Sequence, residues 1–194
     1  ILTVPLVAVL VACGGGGGNS GTSNGGSSGG STGTAVPKVV EVEASATSLK
    51  SADATGITIS ALVKDSSNNA LTEQVVSFVA SSGVLSSVSS ATGADGRATA
   101  LLTAGSDRSN RSITVTVKAG SIEGTIVVPV DGTTLSVAGS TSLLVGASTT
   151  FAVSLKDSSG NPIAAQQIAV TSALGNAVTP AQAATDNNGA ISFY

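Results

Sequence analysis

The strongest candidate for chemistry is Cys13, the only cysteine in the 194-residue chain. Its thiol follows residues 1–12, an uncharged and mostly apolar run, and a run of glycines comes directly after it. A membrane-spanning helix needs about 20 apolar residues, whereas the apolar region of a secretion signal has about 7–15 and closes on small residues. The length therefore predicts a signal peptide over residues 1–12, with Cys13 as the point where the mature protein is tied to a membrane.

The residues just before Cys13 suggest how that tie is made. Leu10, Val11 and Ala12, followed by Cys13, resemble the lipobox of bacterial lipoproteins. The resemblance implies that the thiol is acylated, that the signal is cut before Cys13, and that the new amino group is acylated too. One acyl chain gives only marginal membrane binding, so stable anchoring takes more than one. In lipoproteins of this kind an aspartate after the cysteine often retains the protein at the inner membrane, so by resemblance Gly14 in that position implies the outer membrane. The alternatives are a buried free cysteine and a cysteine that is incidental to the signal.

Catalytic groups other than this thiol are scarce. The chain has no histidine, which excludes a Ser-His-Asp triad and any histidine metal site. Glu41 and Glu43 form a possible carboxylate pair, but their spacing on one strand face is more typical of a solvated sheet edge. Phe78 and Phe151 are expected to face inward, which leaves no aromatic platform for a sugar or a base. We therefore expect a protein that is not an enzyme and needs no cofactor.

Calcium is the sharper alternative, because turn residues with oxygen-bearing side chains recur along the chain. Ca²⁺ takes oxygen ligands, and several turns could share one ion if they meet at one end of a domain. The candidates are Asp65, Asn69 and Asp95 in one set, and Asp157, Asn161 and Asp186 in the other. Asp and Asn also favour turns because their side chains bond nearby backbone, so we expect turn formation and no metal.

A short basic segment, residues 108–111, reads Arg-Ser-Asn-Arg. Its two guanidinium groups could contact an anion. Because it lies between two predicted strands and is polar throughout, we expect a solvated loop.

Charge divides the chain into two parts. Residues 1–37 contain no Asp, Glu, Lys or Arg, and every charged residue lies at or after Lys38. Residues 14–36 are mainly Gly, Ser, Thr and Asn, so residues 13–37 are predicted to be a lipidated cysteine with a flexible tether. The net charge of −3 gives no indication of nucleic-acid binding. Because the sequence starts without Met or a basic segment, we expect its signal peptide to be incomplete.

From Lys38 onward, apolar and polar residues alternate with a period of two. Such alternation is typical of strands with one buried face, and turn-forming residues separate about seven such segments before residue 131. Six of these predicted strands lie within residues 40–44, 57–64, 76–80, 98–102, 113–118 and 126–130. Residues 38–131 are therefore predicted to form an all-β, antiparallel, immunoglobulin-like sandwich.

The same unit then begins again. Residues 64–67, Lys-Asp-Ser-Ser, recur at 156–159. Thr92 through Gly96 recur as Thr185 through Gly189, with matching types at most positions. A repeat as long as a whole sandwich predicts a tandem array of domains, with a second copy over residues 132–194.

This second copy has no counterpart of the last two strands of the first copy before Tyr194. In an immunoglobulin-like topology those strands pair within one sheet and cover the core. We therefore expect an incomplete sandwich that exposes Phe151, Ile168 and Phe193, and a natural chain that continues past Tyr194.

The repeated turns resemble the group-1 bacterial Ig-like domain, the repeat of invasin- and intimin-type surface proteins. The matching segments are 63–70, 76–78 and 94–98 in the first copy, and 155–162, 168–170 and 185–190 in the second. Gly160-Asn161-Pro162 stands as in the family, whereas a glycine usual after this turn is Glu73 in one copy and Ala165 in the other. The resemblance covers roughly residues 38–194 and implies tandem Ig-like sandwiches.

The predicted function is that of a membrane-anchored surface lipoprotein whose Ig-like domains act as a structural spacer or adhesin stalk. Its expected location is the bacterial outer membrane or cell surface. Its expected partners are the membrane, through acylated Cys13, and a host or cell-surface protein or glycan. Two alternatives stay open: a module that binds a glycan, a protein or Ca²⁺ at its end loops, and the non-catalytic N-terminal part of a larger secreted enzyme.

Overall fold

The computed structural model of the chain describes residues 35–194. The predicted signal peptide, the lipobox, Cys13 and nearly all of the predicted tether lie outside the described residues. All regular secondary structure from residue 35 onward is β-strand, and this part of the chain contains no apolar helix of membrane-spanning length.

The first sandwich is built from eight strands in two four-stranded sheets. They are β1 (Val39–Ala44), β2 (Leu49–Lys50), β3 (Ile57–Lys64), β4 (Val76–Ala80), β5 (Val84–Ser86), β6 (Arg97–Thr103), β7 (Arg111–Ala119) and β8 (Ile122–Asp131). One sheet has the order β1-β3-β6-β5 and the other β2-β8-β7-β4. All neighbours are antiparallel except β2 and β8, which run parallel. The prediction of an antiparallel Ig-like sandwich is thus confirmed.

The core of this sandwich lies between the alternating faces of β3 and β7. Along β3 every second residue from Ile57 to Val63 is buried, and Ile113, Val115 and Val117 of β7 are buried as well. Burial of one such Val or Ile side chain contributes about 1.5–3 kcal/mol. The period of two seen in the sequence therefore places the apolar side chains where they stabilise the fold most.

Two strands escaped the sequence analysis because they are too short to show alternation. β5 has three residues, and β2 has two, although Leu49 in β2 is completely buried. The chain crosses from one sheet to the other between β1 and β2, and β1 packs against β8 of the other sheet. At this contact Gly124 is required, since a Cβ there would lie 2.4 Å from the carbonyl oxygen of Val40.

The second sandwich contains five strands over the described residues. They are β9 (Thr134–Ala138), β10 (Phe151–Lys156), β11 (Gln167–Ala169), β12 (Gln182–Ala184) and β13 (Ala190–Phe193). Its sheets have the orders β13-β10-β9 and β11-β12. β10 and β13 are the counterparts of β3 and β6, so the internal repeat is also a repeat of structure.

The expected exposure of the second core is wrong for two of the three residues. Phe193 is 1% exposed and Ile168 is buried, because both belong to one apolar cluster with Val153, and Val178 from the loop between β11 and β12 packs against this cluster. Loops thus cover side chains that we had expected to need further strands. Phe151 is 39% exposed and lines an open apolar groove, as expected.

Candidate functional site: the joint between the sandwiches

The repeated Asp turn has the same local geometry in both copies. The Oδ1 atom of Asp65 accepts hydrogen bonds from the backbone N–H groups of Ser67 at 2.8 Å and Asn69 at 2.9 Å. The Oδ1 atom of Asp157 accepts the equivalent bonds from Ser159 and Asn161, both at 2.9 Å. Each carboxylate therefore closes its own turn, which is the turn chemistry that the sequence predicts.

The second turn of each copy lies directly beside the first. Val63 donates its backbone N–H to the oxygen of Gly96 at 3.0 Å, and Leu155 donates to that of Gly189 at 2.8 Å. The loops thus meet at one end of each sandwich, as a shared calcium site would require.

The carboxylates are, however, used inside their turns. Asp95 accepts a bond from the N–H of Arg97 at 3.0 Å, and Asp186 accepts one from the N–H of Ala190 at 2.8 Å. Hydrogen bonds from the Asn69 backbone and side chain hold the pKa of Asp65 below its ordinary value of 3.8, and the Ala190 N–H does the same for the pKa of Asp186. From residue 35 to 194 no three Asp, Glu, His or Cys side chains cluster closely enough to hold a metal.

A buried threonine ties the two turns together in each copy. The Thr92 hydroxyl donates to the oxygen of Leu71 at 2.6 Å and accepts from the N–H of Gln74 at 2.9 Å. Thr185 repeats both bonds, with the oxygen of Ile163 at 2.7 Å and the N–H of Gln166 at 3.0 Å. The recurrence of this threonine is visible in the sequence, but its two hydrogen bonds are visible only in the structure.

The backbone between those two bonds is left-handed in both copies. Glu73 and Ala165 each have a φ of 57°. These are the positions where the resembling family carries glycine, and glycine adopts this conformation without steric cost. The departure from the family pattern therefore leaves both copies with local backbone strain.

The two Asp turns differ in the partner of their second carboxylate oxygen. Asp65 Oδ2 accepts a bond from the Asn69 side chain at 3.1 Å, within its own turn. Asp157 Oδ2 instead accepts a bond at 2.8 Å from Nη1 of Arg108, which belongs to the first sandwich. The Asp157 side chain is 3% exposed and that of Arg108 is 39% exposed. This ion pair joins the sandwiches, and we call the surrounding contact, formed by residues 51–52, 108–110, 132–133 and 157–158, the joint.

Ionisation of Asp157 reflects two opposing effects. Burial disfavours the charged carboxylate, but the N–H groups of Asn161 and Ser159 and the charge of Arg108 stabilise it. The stabilising contacts prevail, and the pKa of Asp157 lies below its ordinary value of 3.8. The pair is therefore ionic at neutral pH.

Two serines cross the joint reciprocally. The N–H of Ala52 donates to the Ser158 hydroxyl at 2.9 Å, and the N–H of Ser158 donates to the Ser51 hydroxyl at 3.0 Å. Ser51 is 2% exposed. Each side of the joint thus supplies the acceptor for a backbone donor on the other side.

The loop that carries Arg108 also binds the linker. Thr133 donates its N–H to the Asn110 side chain at 3.0 Å, and Asn110 donates back to the Thr133 oxygen at 2.9 Å. The Thr133 hydroxyl also donates to the carbonyl oxygen of Arg108. The prediction of a solvated loop over residues 108–111 is therefore wrong, because the second sandwich covers part of it.

Arg111 holds that loop in shape from inside the first sandwich. Its guanidinium donates to the oxygens of Ala104 and Asp107, both at 2.7 Å, and to the Ser82 hydroxyl at 3.1 Å. The carbonyl oxygen of Ser109 accepts a further bond at 3.1 Å, and four acceptors on one guanidinium leave the loop little freedom.

The linker itself is too short to act as a tether. β8 ends at Asp131 and β9 begins at Thr134. Gly132 has a φ of 92°, and a Cβ there would lie 2.6 Å from the Cβ of Ser158. This short spacing is the sequence signal that could have indicated a joint, since two sandwiches so close in sequence must touch.

Glu41 and Glu43 lie on β1, an edge strand, as predicted. Glu41 pairs with Lys64 at 2.8 Å and Glu43 with Arg97 at 3.3 Å. Both carboxylates are largely exposed and neutralised by separate cations. They form a solvated edge and not a shared acid-base pair.

Comparison with known proteins identifies the fold. No protein-family model matches the sequence, and no curated protein matches it. Among solved structures, the chain is similar to the adhesin InvE of Yersinia pseudotuberculosis, with 20% identity, a TM-score of 0.52, and coverage of 79% of this chain and 50% of that one. The D00-D0 domains of intimin align with 26% identity over 52% of this chain and 51% of theirs, with a TM-score of 0.43. This chain thus spans about half the length of these two structures, and the likeness to InvE confirms the bacterial Ig-like fold.

Proposed function

We propose that the chain is a bacterial surface lipoprotein whose tandem Ig-like sandwiches form the stalk of an adhesin. The observation that carries this proposal is that residues 38–194 consist of two consecutive sandwiches with only Gly132 and Thr133 between their strands. Such an arrangement suits a spacer, and InvE, which shares the fold, is an adhesin. The proposal gives these two sandwiches no catalytic role.

The anchor in this proposal is Cys13, acylated at the end of the apolar run. The Gly- and Ser-rich residues 14–36 then separate the first sandwich from the membrane surface. The proposed partner of such a stalk is a protein or glycan on another cell. The outer membrane or the cell surface is the proposed location.

Replacement of the cysteine tests the anchor. Cys13→Ser, in the protein produced by a bacterium, should abolish lipid incorporation and move the protein from the membrane fraction to the soluble fraction. Fractionation and intact mass of the mature protein measure both effects. The double variant Cys13→Ser/Ser20→Cys is the matched control, since it keeps a thiol but moves it away from Leu10-Val11-Ala12.

The control should behave like Cys13→Ser. If Cys13→Ser stays in the membrane fraction with an unchanged mass, the lipoprotein proposal is wrong. Antibodies against the first sandwich, applied to intact cells, test surface display independently. Failure to label intact cells that retain the protein would contradict the stalk.

A further inference from the structure

We propose that Arg108 and Asp157 form a latch that fixes the orientation of the second sandwich on the first, so that the pair moves as one rigid segment. The proposal deepens the stalk function and rests on it. The partner of the Arg108 loop is the Asp turn of the sandwich that follows, whose carboxylate faces this loop.

Three attachments, two from the Arg108 loop and one from the segment after β2, support this inference. Arg108 comes from the loop between β6 and β7, Ser51 from the segment after β2, and Asn110 binds the linker residue Thr133. A single contact would leave a hinge free to bend and twist. Attachments from two separate elements, the Arg108 loop and the segment after β2, oppose both motions, since rotation about one of them breaks the other.

The latch is stronger than the other ion pair at this end of the first sandwich. Lys50 and Asp131 lie 2.6 Å apart, but their side chains are 61% and 43% exposed, and an exposed pair contributes little. Asp157 is almost completely buried. Its bond to Arg108 is a charge-assisted hydrogen bond whose acceptor is shielded from water, although the Arg108 side chain is 39% exposed, and such a bond is stronger than one between two exposed groups.

Each half of the latch is held by hydrogen bonds within its own sandwich. Arg111 holds the Arg108 loop through bonds within the first sandwich. The Asp157 carboxylate is held by the N–H groups of Ser159 and Asn161 within the second. Little conformational freedom is then lost when the joint closes, which favours closure.

Residual dipolar couplings of the full chain test the latch. We expect one alignment tensor to describe both sandwiches of the unmodified protein. Arg108→Ala should cause the loss of this common tensor, while the resonances of Val115 and Val153 show that both cores stay folded. Arg97→Ala is the matched control, because Arg97 is exposed to the same extent as Arg108, 38% against 39%, but pairs with Glu43 inside the first sandwich.

The proposal is overturned by separate tensors in the unmodified protein, or by a common tensor that survives Arg108→Ala. If Arg108→Ala loses the second core, Arg108→Lys decides: recovery of the core and of the common tensor supports a charge latch, and no recovery rejects it. A flexible joint would leave membrane retention through Cys13 unchanged, so failure of the latch is distinguishable from failure of the anchor.

Discussion

The Asp65 turn and the Asp157 turn are nearly identical in backbone hydrogen bonding and differ in what surrounds them. Asp65 faces solvent and completes its bonds with its own Asn69. Asp157 is covered by the first sandwich and completes its bonds with Arg108. One turn motif therefore forms from local chemistry alone and acquires a joining role only where another domain reaches it.

The largest expected difference follows from removal of the two carboxylates. Asp157→Ala leaves the partly buried N–H groups of Ser159 and Asn161 without an acceptor and Arg108 without a partner. It should lower the free energy of unfolding of the second sandwich by about 2–3 kcal/mol. Asp65→Ala should cost the first sandwich less, because water replaces its exposed bonds.

Hydrogen exchange at the amides of Asn161 and Asn69 measures this difference residue by residue. Asp157→Ala should reduce protection of the Asn161 amide and of the Ser158 amide, whose hydrogen bond crosses the joint. Equal losses of protection in the two variants would mean that the surroundings of the turn add nothing to it.

Acid should weaken the same contacts, and the direction follows from the lowered pKa of both carboxylates. A carboxylate with a lower pKa in the folded state contributes stability above its unfolded pKa, near 3.8. That stability is lost as the pH falls through the lower folded value. Thermal melting between about pH 2 and pH 6 should therefore show the second sandwich losing stability below about pH 4.

Asp157→Asn should reduce this dependence for the second sandwich, and Asp65→Asn should reduce it for the first. An unmodified second sandwich that melts at the same temperature throughout this pH range would contradict the assignment of an ionised Asp157.

The smallest expected change in stability concerns the left-handed backbone position that both copies share. Glu73 and Ala165 have the same left-handed backbone, which costs a residue other than glycine about 1–2 kcal/mol. Glu73→Gly and Ala165→Gly should each stabilise their own sandwich by about 0.5–1 kcal/mol, after the greater freedom of glycine in the unfolded chain is allowed for.

The urea midpoint of each sandwich measures this gain. Ala165→Val is the control of opposite sign, since a β-branched side chain tolerates this conformation least. If glycine stabilises one copy and not the other, the equivalence of the two turns fails.

Much of the fold could be predicted from particular residues. Ile57 to Lys64 and Arg111 to Ala119 alternate in the sequence and alternate in the structure, because a strand with one buried face requires it. The recurring Asp and Thr residues also predicted the repeat. β2 and β5 were missed because two or three residues cannot display a period. Burial of Phe193 was missed because the loop residue Val178 covers it from a position that no periodicity indicates.

The longer strands and the turns follow from the sequence alone, since each depends on residues within a few positions of one another, and the recurrence of those turns indicates the tandem repeat. The sequence also carries the predicted lipid anchor at Cys13. Only the tertiary structure decided the joint. Arg108 and Asp157 are 49 residues apart, and they meet because folding of two sandwiches brings the end of one against the beginning of the next. Local patterns encode each sandwich, but the contact between sandwiches depends on where their ends come to lie.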